Sequence, residues 1–338
     1  MKKIIFSLVA LATLVSCAKT EALYDENSSE IKIIPVTSLA TKAVIEGNKY
    51  PRTEHFDVHA YWADDWTGTV TAYFACQGEE SGGVEFEHKG DGSWGGVDNS
   101  YYWPKDGSLK FACYSPSSVN LAHKYDGDVY YSKKPYKQSN STDSTIDLLL
   151  APTTAAKTSV DDVAVDFKHA LAWITIKVKA ANTTAASAYT ITGVTINDVK
   201  TQAELAASMS ADLAVSMKDG AQVGSWMNPT NAKPYVVFAD DEYGLTTTAT
   251  EIETVENGTI VIPQTPTTVT IDYIQNAISG TAKLENQQIT LSLDLQNADN
   301  MWQPGRQYTY TLTFGLDEIL ITPSIVNWKY GNELELDL

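Results

Sequence analysis

Apolar and polar residues alternate with a period of two along most of this 338-residue chain. In 56–62, one side of an extended chain carries the apolar residues Phe56, Val58, Ala60 and Trp62. Comparable runs occur at 69–76, 109–114, 146–151, 171–179, 190–196, 258–262, 268–275, 288–295, 307–314 and 319–326. Because successive side chains of a strand point to opposite faces, the pattern predicts many short strands. Gly, Asn, Asp and Pro separate the runs, which indicates an all-β chain of the sandwich type.

The length of the chain predicts two domains rather than one. Only 202–217 has a helix-forming composition. More than three hundred residues exceed what one β-sandwich usually holds. The stretch 151–162 has few large apolar residues and is the best candidate for a linker. We therefore predict an N-terminal domain at 31–162 and a C-terminal domain at 163–338.

The first residues have the three parts of a secretory signal. Lys2 and Lys3 precede an apolar stretch at 4–15, which is too short to span a bilayer, and Ser16 and Cys17 follow it. Leu-Val-Ser-Cys resembles a bacterial lipobox, which implies cleavage before Cys17 and acylation of that residue, palmitate included. The alternative is an ordinary signal peptide with a chance cysteine. We predict a signal peptide at 1–16 and a lipidated tether at 17–30 that holds the protein to a membrane.

The net charge bears on the choice of partner, and the two cysteines beyond Cys17 allow two interpretations. The formal net charge is −18, which argues against nucleic acid as a partner because nucleic-acid binding depends on basic patches. Cys76 and Cys113 both lie in apolar runs. They either pair as a disulfide outside the cell or act as small buried residues.

No constellation of residues supports catalysis or a cofactor. His55 and His59 have the spacing of a helical metal pair, but on a strand that step separates them by about 13 Å. The chain contains no G-x-S-x-G elbow and no phosphate-binding glycine loop. We therefore predict a protein that is not an enzyme and that needs neither a cofactor nor a metal.

A run of aromatic residues at 101–103 offers a second functional hypothesis. Tyr101 and Trp103 could stack on sugar rings, which would make the chain a glycan-binding surface lipoprotein. The alternative is that these residues fill a sandwich core and form cross-strand pairs.

The C-terminal end alternates without interruption. Leu334, Leu336 and Leu338 share one side, and acidic residues occupy the other. A strand with a free end can be given to the sheet of a neighbouring molecule, as in strand addition. The alternative is a final edge strand in the protein's own sheet.

A short apolar strand near the beginning complements this tail. The stretch 31–36 is followed by a polar segment that contains Lys42 and Arg52. Cleavage after either residue would release the strand and leave an edge that needs a replacement. Arg52 is one of only two arginines, which suits a trypsin-like cut.

Several stretches together resemble the fimbrillin-like pilin family of Bacteroidales. The lipobox, the Ala-Thr-Lys-Ala stretch and Phe56–Trp62 resemble the beginning of such pilins. The matching stretches of the rest of the chain are 102–104, 109–116, 147–151, 165–172, 261–264, 304–310 and 325–328. Their order over nearly the whole chain carries the resemblance.

The resemblance implies two tandem transthyretin-like β-sandwich domains and export as a lipoprotein to the outer membrane. It also implies that an arginine- or lysine-specific protease removes the first strand, and that another pilin subunit's C-terminal strand replaces it. The expected product is a fimbrium at the cell surface that mediates adhesion, with a host or bacterial receptor as a further partner. Family members often carry Thr-Arg-Ala where this chain has Thr-Lys-Ala. From its position in the chain Lys42 is the preferred cleavage site and Arg52 the next, and the third alternative is a protein that stays uncut as an anchor or terminal subunit. His169 belongs to a structural signature in this family.

Overall fold

The computed structural model describes residues 29–36, 50–74, 82–125, 129–140, 145–156, 162–208, 225–239, 241–252, 259–277, 282–295 and 300–328. Within them the protein is almost entirely β-structure, with a 3-10 turn at Ser117–Val119 and one short helix, α1 (Thr183–Ala188). The side chain of Asn182 caps α1 by accepting a hydrogen bond from the Ala185 amide at 2.9 Å. The predicted all-β class is confirmed.

Eleven strands precede residue 170 in the described part of the chain. They are β1 (Ile33–Val36), β2 (Phe56–Ala63), β3 (Thr71–Phe74), β4 (Val84–His88), β5 (Trp94–Gly96), β6 (Ser108–Ser115), β7 (Ala122–Tyr125), β8 (Val129–Lys137), β9 (Leu149–Ala156), β10 (Val163–Asp166) and β11 (Lys168–His169).

Ten further strands follow in the described residues. They are β12 (Ala172–Ala180), β13 (Tyr189–Ser208), β14 (Ser225–Phe238), β15 (Tyr243–Gly244), β16 (Thr250–Glu251), β17 (Thr259–Val261), β18 (Thr268–Gln275), β19 (Leu284–Ser292), β20 (Arg306–Phe314) and β21 (Ile319–Asn327).

The first sheet has nine strands in the described residues. Their order is β10-β1-β5-β4-β2-β6-β9-β11, with β3 paired to β2. The central strands β2 and β6 run antiparallel, from Asp57 opposite Tyr114 to Ala63 opposite Ser108. Both are buried along most of their length, which indicates that both faces of this part of the sheet are covered.

Two further sheets follow. One has the order β16-β12-β20-β21 with β17 on β12, and the other has the order β19-β18-β13-β8-β7 with β14 and β15 on β13. The hairpin β7–β8 precedes residue 162 but pairs with the end of β13, from Lys137 opposite Gln202 to Tyr130 opposite Ser208. This sheet therefore contains strands from both halves of the chain.

Three clusters of buried apolar side chains fill the fold. One belongs to the first half, for example Ile33, Phe56 and Phe111, and one to the second half, for example Ile176, Ile196 and Tyr310. The third joins the halves, with members that include Tyr61, Tyr131, Leu171, Trp173, Leu205 and Trp328. The joint between the halves is therefore apolar and aromatic.

The alternation of the sequence correctly predicted most strands, and two other predictions were wrong. The run 268–275 is β18 with the same bounds. The expected linker at 151–162 is wrong for its first part, since β9 continues to Ala156 and pairs with β6. The expected helix at 202–217 is wrong for 202–208, which belong to β13. Here pairing with β8 and β14 outweighs the helix propensity of an alanine-rich segment.

Candidate functional site

The predicted N-terminal strand is present and lies within the first sheet. β1 pairs in parallel with β10, with Ile33 opposite Val163, and touches β5 at one position. The amide of Val163 donates to the carbonyl of Lys32 at 2.8 Å, and the amide of Ile31 donates to the carbonyl of Tyr101 at 2.7 Å. The strand prediction for 31–36 is therefore confirmed at 33–36.

Every second side chain of this segment enters the core. Ile31 is 1% exposed, Ile33 is fully buried, and Pro35 is also buried. The two isoleucines belong to the same apolar cluster as Trp94, Val163 and Phe167, among others. Burying each isoleucine stabilises its docking by roughly 1.5–3 kcal/mol. Lys32 is partly exposed and forms an ion pair with Asp91 at 2.5 Å, which contributes little in water.

Removal of β1 would leave a site of defined chemistry. β10 pairs only with β1 among the described strands, so its backbone groups on that side would lose their partners. Ile31 and Ile33 would leave behind an apolar groove lined by members of the first-half cluster. Such an edge with an apolar floor requires a replacement strand.

Tyr50 closes one side of this region and was not predicted from the sequence. Its side chain is 2% exposed and stacks on Phe167, with ring centroids 5.4 Å apart. Its hydroxyl donates to the carbonyl of His55 at 2.9 Å and lies 2.7 Å from Oγ of Ser115. Burial raises the pKa of the Tyr50 phenol above its usual value. An aromatic residue just before Pro51, in an otherwise polar segment, was the available signal.

Cleavage at the two candidate residues would differ in whether Tyr50 stays with the rest of the protein. Arg52 is exposed and lies in a turn, two residues after Tyr50. Lys42 lies outside the described residues. A cut after Arg52 would remove Tyr50 from the core together with β1, whereas a cut after Lys42 would keep Tyr50 in the body of the protein.

His169 and Asp147 form a buried hydrogen-bonded pair. Nδ1 of His169 lies 2.9 Å from Oδ1 of Asp147, and both side chains are almost fully buried. The indole of Trp328 stacks on the imidazole with centroids 3.9 Å apart and planes inclined by 11°. These residues join three separate parts of the chain at the place where the described residues end.

Several predicted sites are not part of the described residues. Cys17 lies outside them, as do the predicted donor residues Leu334, Leu336 and Leu338. Cys113 is a free, buried thiol, and Cys76 lies outside the described residues. Burial raises the pKa of the Cys113 thiol, which keeps it protonated.

The aromatic run proposed for sugar stacking faces the interior. Trp103 is 3% exposed and packs edge-on against Phe111, with ring centroids 6.0 Å apart. The ring of Tyr101 lies 4.4 Å from that of Phe74. A sugar ring needs an open aromatic face, which the buried Trp103 does not offer, and Tyr101 is only partly exposed.

The two histidines of the candidate metal pair lie in different surroundings. His55 is partly exposed and lies 3.0 Å from Glu85, whereas His59 is fully buried. Within the described residues no three His, Cys, Asp or Glu side chains are placed to hold a metal ion. The same part of the chain contains no helix with the length and hydropathy needed to cross a membrane.

Comparison with solved structures identifies the fold. A candidate cell adhesion protein from Bacteroides uniformis is 19% identical, with a TM-score of 0.52 over 89% of this chain and 99% of its own. A second from Bacteroides ovatus is 18% identical, with a TM-score of 0.53 over 90% and 99%. A fimbrial protein from Bacteroides vulgatus is 16% identical, with a TM-score of 0.49 over 89% and 100%. The first two have the same fold as this chain.

Comparison with protein families identifies the family. No curated protein matches the chain. A family model described as fimbrillin-like matches residues 41–328, which is most of the sequence and includes β2 through β21. The protein therefore belongs to the fimbrillin-like family.

Proposed function

We propose that this protein is a fimbrial subunit that polymerises when the C-terminal strand of another subunit replaces β1. The observation that carries the proposal is the docking of β1, whose Ile31 and Ile33 are buried while β10 pairs only with β1 among the described strands. A segment held in this way can be exchanged for another strand of the same pattern. The role is structural, and adhesion through the fimbrium is its biological outcome.

The proposed donor segment has the same spacing as the strand that it replaces. Ile31, Ile33 and Pro35 are buried in the groove at every second position. Leu334, Leu336 and Leu338 also follow each other at every second position. A strand added to β10 would therefore place three leucines in the groove, each contributing roughly 1.5–3 kcal/mol, together with main-chain hydrogen bonds.

Maturation is proposed to follow the lipoprotein route. The leader at 1–16 is removed, Cys17 is acylated, and the tether at 17–30 holds the chain to the outer membrane until a protease cuts it. Lys42 is the preferred site because the cut leaves Tyr50 in the core, where its ring stacks on Phe167. Cleavage after Arg52 would remove a buried tyrosine that the donor tail does not obviously replace.

The two halves are proposed to be tandem transthyretin-like β-sandwich domains. β10 and β11 follow residue 162 but pair with β1 and β9 of the first sheet. The proposed division between 31–162 and 163–338 is therefore best moved to about Leu171, just before β12.

The test uses the full chain and a protease that cuts after lysine and arginine. Limited digestion should give a protein that begins at Ala43 and forms heat-resistant ladders on a gel. Leu336→Asp should abolish the ladders, because it would put a charge in the apolar groove. Glu335→Gln, on the opposite side of the same strand, should leave them intact.

The outcome can contradict the proposal in two ways. A protein that has lost β1 completely and remains monomeric would rule out strand replacement. Ladders that persist in the Leu336→Asp variant would show that the C-terminal segment is not the donor.

A further inference from the structure

β19 is the strand at one edge of the sheet that contains β13. β19 pairs antiparallel with β18, from Ser292 opposite Thr268 to Gln287 opposite Tyr273. Among the described strands, β18 is its only partner. No described strand therefore lies on the other side of β19.

The register identifies which backbone groups point outward. The amide of Leu293 donates to the carbonyl of Thr267 at 2.9 Å, so these two residues form a hydrogen-bonded pair. In an antiparallel ladder such pairs alternate with pairs whose N–H and C=O groups point away from each other. It follows that the N–H and C=O groups of Gln288, Thr290 and Ser292 point away from β18.

The side chains of these residues leave the edge uncovered. Oγ1 of Thr290 lies 3.0 Å from Oγ1 of Thr270, and Nε2 of Gln288 donates to Asp272 at 2.8 Å. Both side chains are thus directed back over β18. All three outward residues are exposed.

β19 also lacks the prolines that two other one-sided strands, β14 and β21, carry. Edge strands usually avoid association through proline or charged residues. In β21, the amide of Trp328 donates to the carbonyl of Gly305, so these two residues form a hydrogen-bonded pair with β20. Because such pairs alternate with outward-facing ones, Pro323 lies at an outward position, where it removes a hydrogen-bond donor. β14 contains Pro229 and Pro234. The stretch 286–292 of β19 contains neither proline nor charge, in a chain whose net charge is −18.

We infer that β19 pairs with β19 of a second copy of this chain, antiparallel and with Thr290 on the two-fold axis. Gln288 then lies opposite Ser292 of the partner subunit, and the three outward residues form about six main-chain hydrogen bonds. In this register Glu285 lies opposite Leu295 of the partner subunit and Asp294 opposite Asn286 of the partner subunit. No two carboxylates face each other, so the edge is self-complementary as a two-fold interface requires.

The edge is assigned to a second copy of this chain rather than to an unrelated strand because its residues are complementary to themselves in the antiparallel register. Its outward residues are uncharged, so two strongly acidic molecules can approach there with the least repulsion. The contact is lateral and uses neither β1 nor residues 332–338. It therefore stands independently of the proposed strand replacement.

One test is a disulfide cross-link in the full chain. Opposed residues of a hydrogen-bonded pair have Cα atoms about 5.5 Å apart, which suits a disulfide. Thr290→Cys should give a covalent dimer under mild oxidation, and Thr322→Cys, at an exposed position of β21, should not. Equal cross-linking of the two variants, or none in Thr290→Cys, would overturn the inference.

A second test measures association without a new covalent bond. Sedimentation velocity should show a concentration-dependent dimer with a dissociation constant below about 0.5 mM, as expected for a small interface. Thr290→Lys would place two ammonium groups on the axis and should weaken the dimer at least about tenfold, whereas Thr322→Lys should not. The dimer should survive deletion of 332–338, which separates it from strand replacement. A parent protein that stays monomeric, or a dimer that depends on Thr322 instead, would contradict the proposed interface.

Discussion

His59 and His123 lie against each other in the core, with ring centroids 3.6 Å apart. The hydroxyl of Tyr61 is hydrogen-bonded to Nδ1 of His123, whereas neither ring nitrogen of His59 has a hydrogen-bond partner in the described part of the chain. Burial, and next the neighbouring His123, hold the pKa of His59 well below its usual value. The contact packs the hairpin β7–β8, which carries His123, against the central strand β2, which carries His59.

This contact predicts that the protein loses stability in acid. Because the folded protein keeps His59 neutral, the unfolded chain binds the extra proton once the pH falls below about 6.5. The contribution is therefore present above that pH and decreases below it, by about 1.4 kcal/mol per pH unit for one proton. Urea unfolding at several pH values between neutrality and pH 5 measures the slope.

Two variants identify the residue that is responsible. His59→Phe should flatten the slope, and His55→Gln, at the partly exposed histidine, should leave it unchanged. Asp57 changes the free energy of unfolding with pH in the opposite direction, because burial raises its pKa. Asp57 is present in the parent and in both variants, so its effect does not distinguish them. A slope that His59→Phe leaves unaltered would assign the acid sensitivity to another group.

The buried pair of His169 and Asp147 predicts a large effect of losing one partner. His169→Phe retains an aromatic ring against Trp328 but removes the one hydrogen bond that the Asp147 carboxylate makes within the described residues. The free energy of unfolding should fall by about 3–5 kcal/mol. Trp328→Phe tests the stack alone and should cost less. Equal stability of His169→Phe and the parent would show that the hydrogen bond between His169 and Asp147 is dispensable.

Tyr50 allows its ring and its hydroxyl to be measured separately. Tyr50→Phe removes the bonds to His55 and Ser115 and should destabilise the protein by about 1 kcal/mol. Tyr50→Ala also leaves a cavity beside Phe167 and should cost about 3–5 kcal/mol. Thermal unfolding compares the two. A Tyr50→Ala protein as stable as the parent would remove the reason for preferring Lys42 to Arg52.

Adjacent isoleucines of β1 provide a matched pair for testing its docking. Ile33 is fully buried, and Ile34 is 38% exposed. After cleavage between β1 and Tyr50, Ile33→Ser should release the N-terminal segment much faster than the parent does, since roughly 1.5–3 kcal/mol of burial is lost. Ile34→Ser should behave like the parent. Gel filtration of the cleaved proteins measures the release, and equal rates would contradict the assigned orientation of β1.

Local patterns were enough to predict the class and most of the strands. β20 alternates in burial, with Tyr308, Tyr310, Leu312 and Phe314 inside, and this is readable because the side-chain period of a strand depends only on its own backbone. The N-terminal strand was predictable for the same reason. Its parallel partner β10 was not, because about 130 residues separate Ile33 from Val163 and no local pattern encodes that pairing.

The order of the residues thus determined where strands form, whereas the tertiary structure decided which of them meet. The stretch 202–208 is rich in helix-forming residues, yet it is a strand because β8 and β14 pair with it on both sides. The contact of His59 with His123 and the open edge of β19 likewise exist only after the sheets assemble. Pairing energies between distant segments exceed local propensities of a few tenths of a kcal/mol per residue, so those properties follow from the assembled fold.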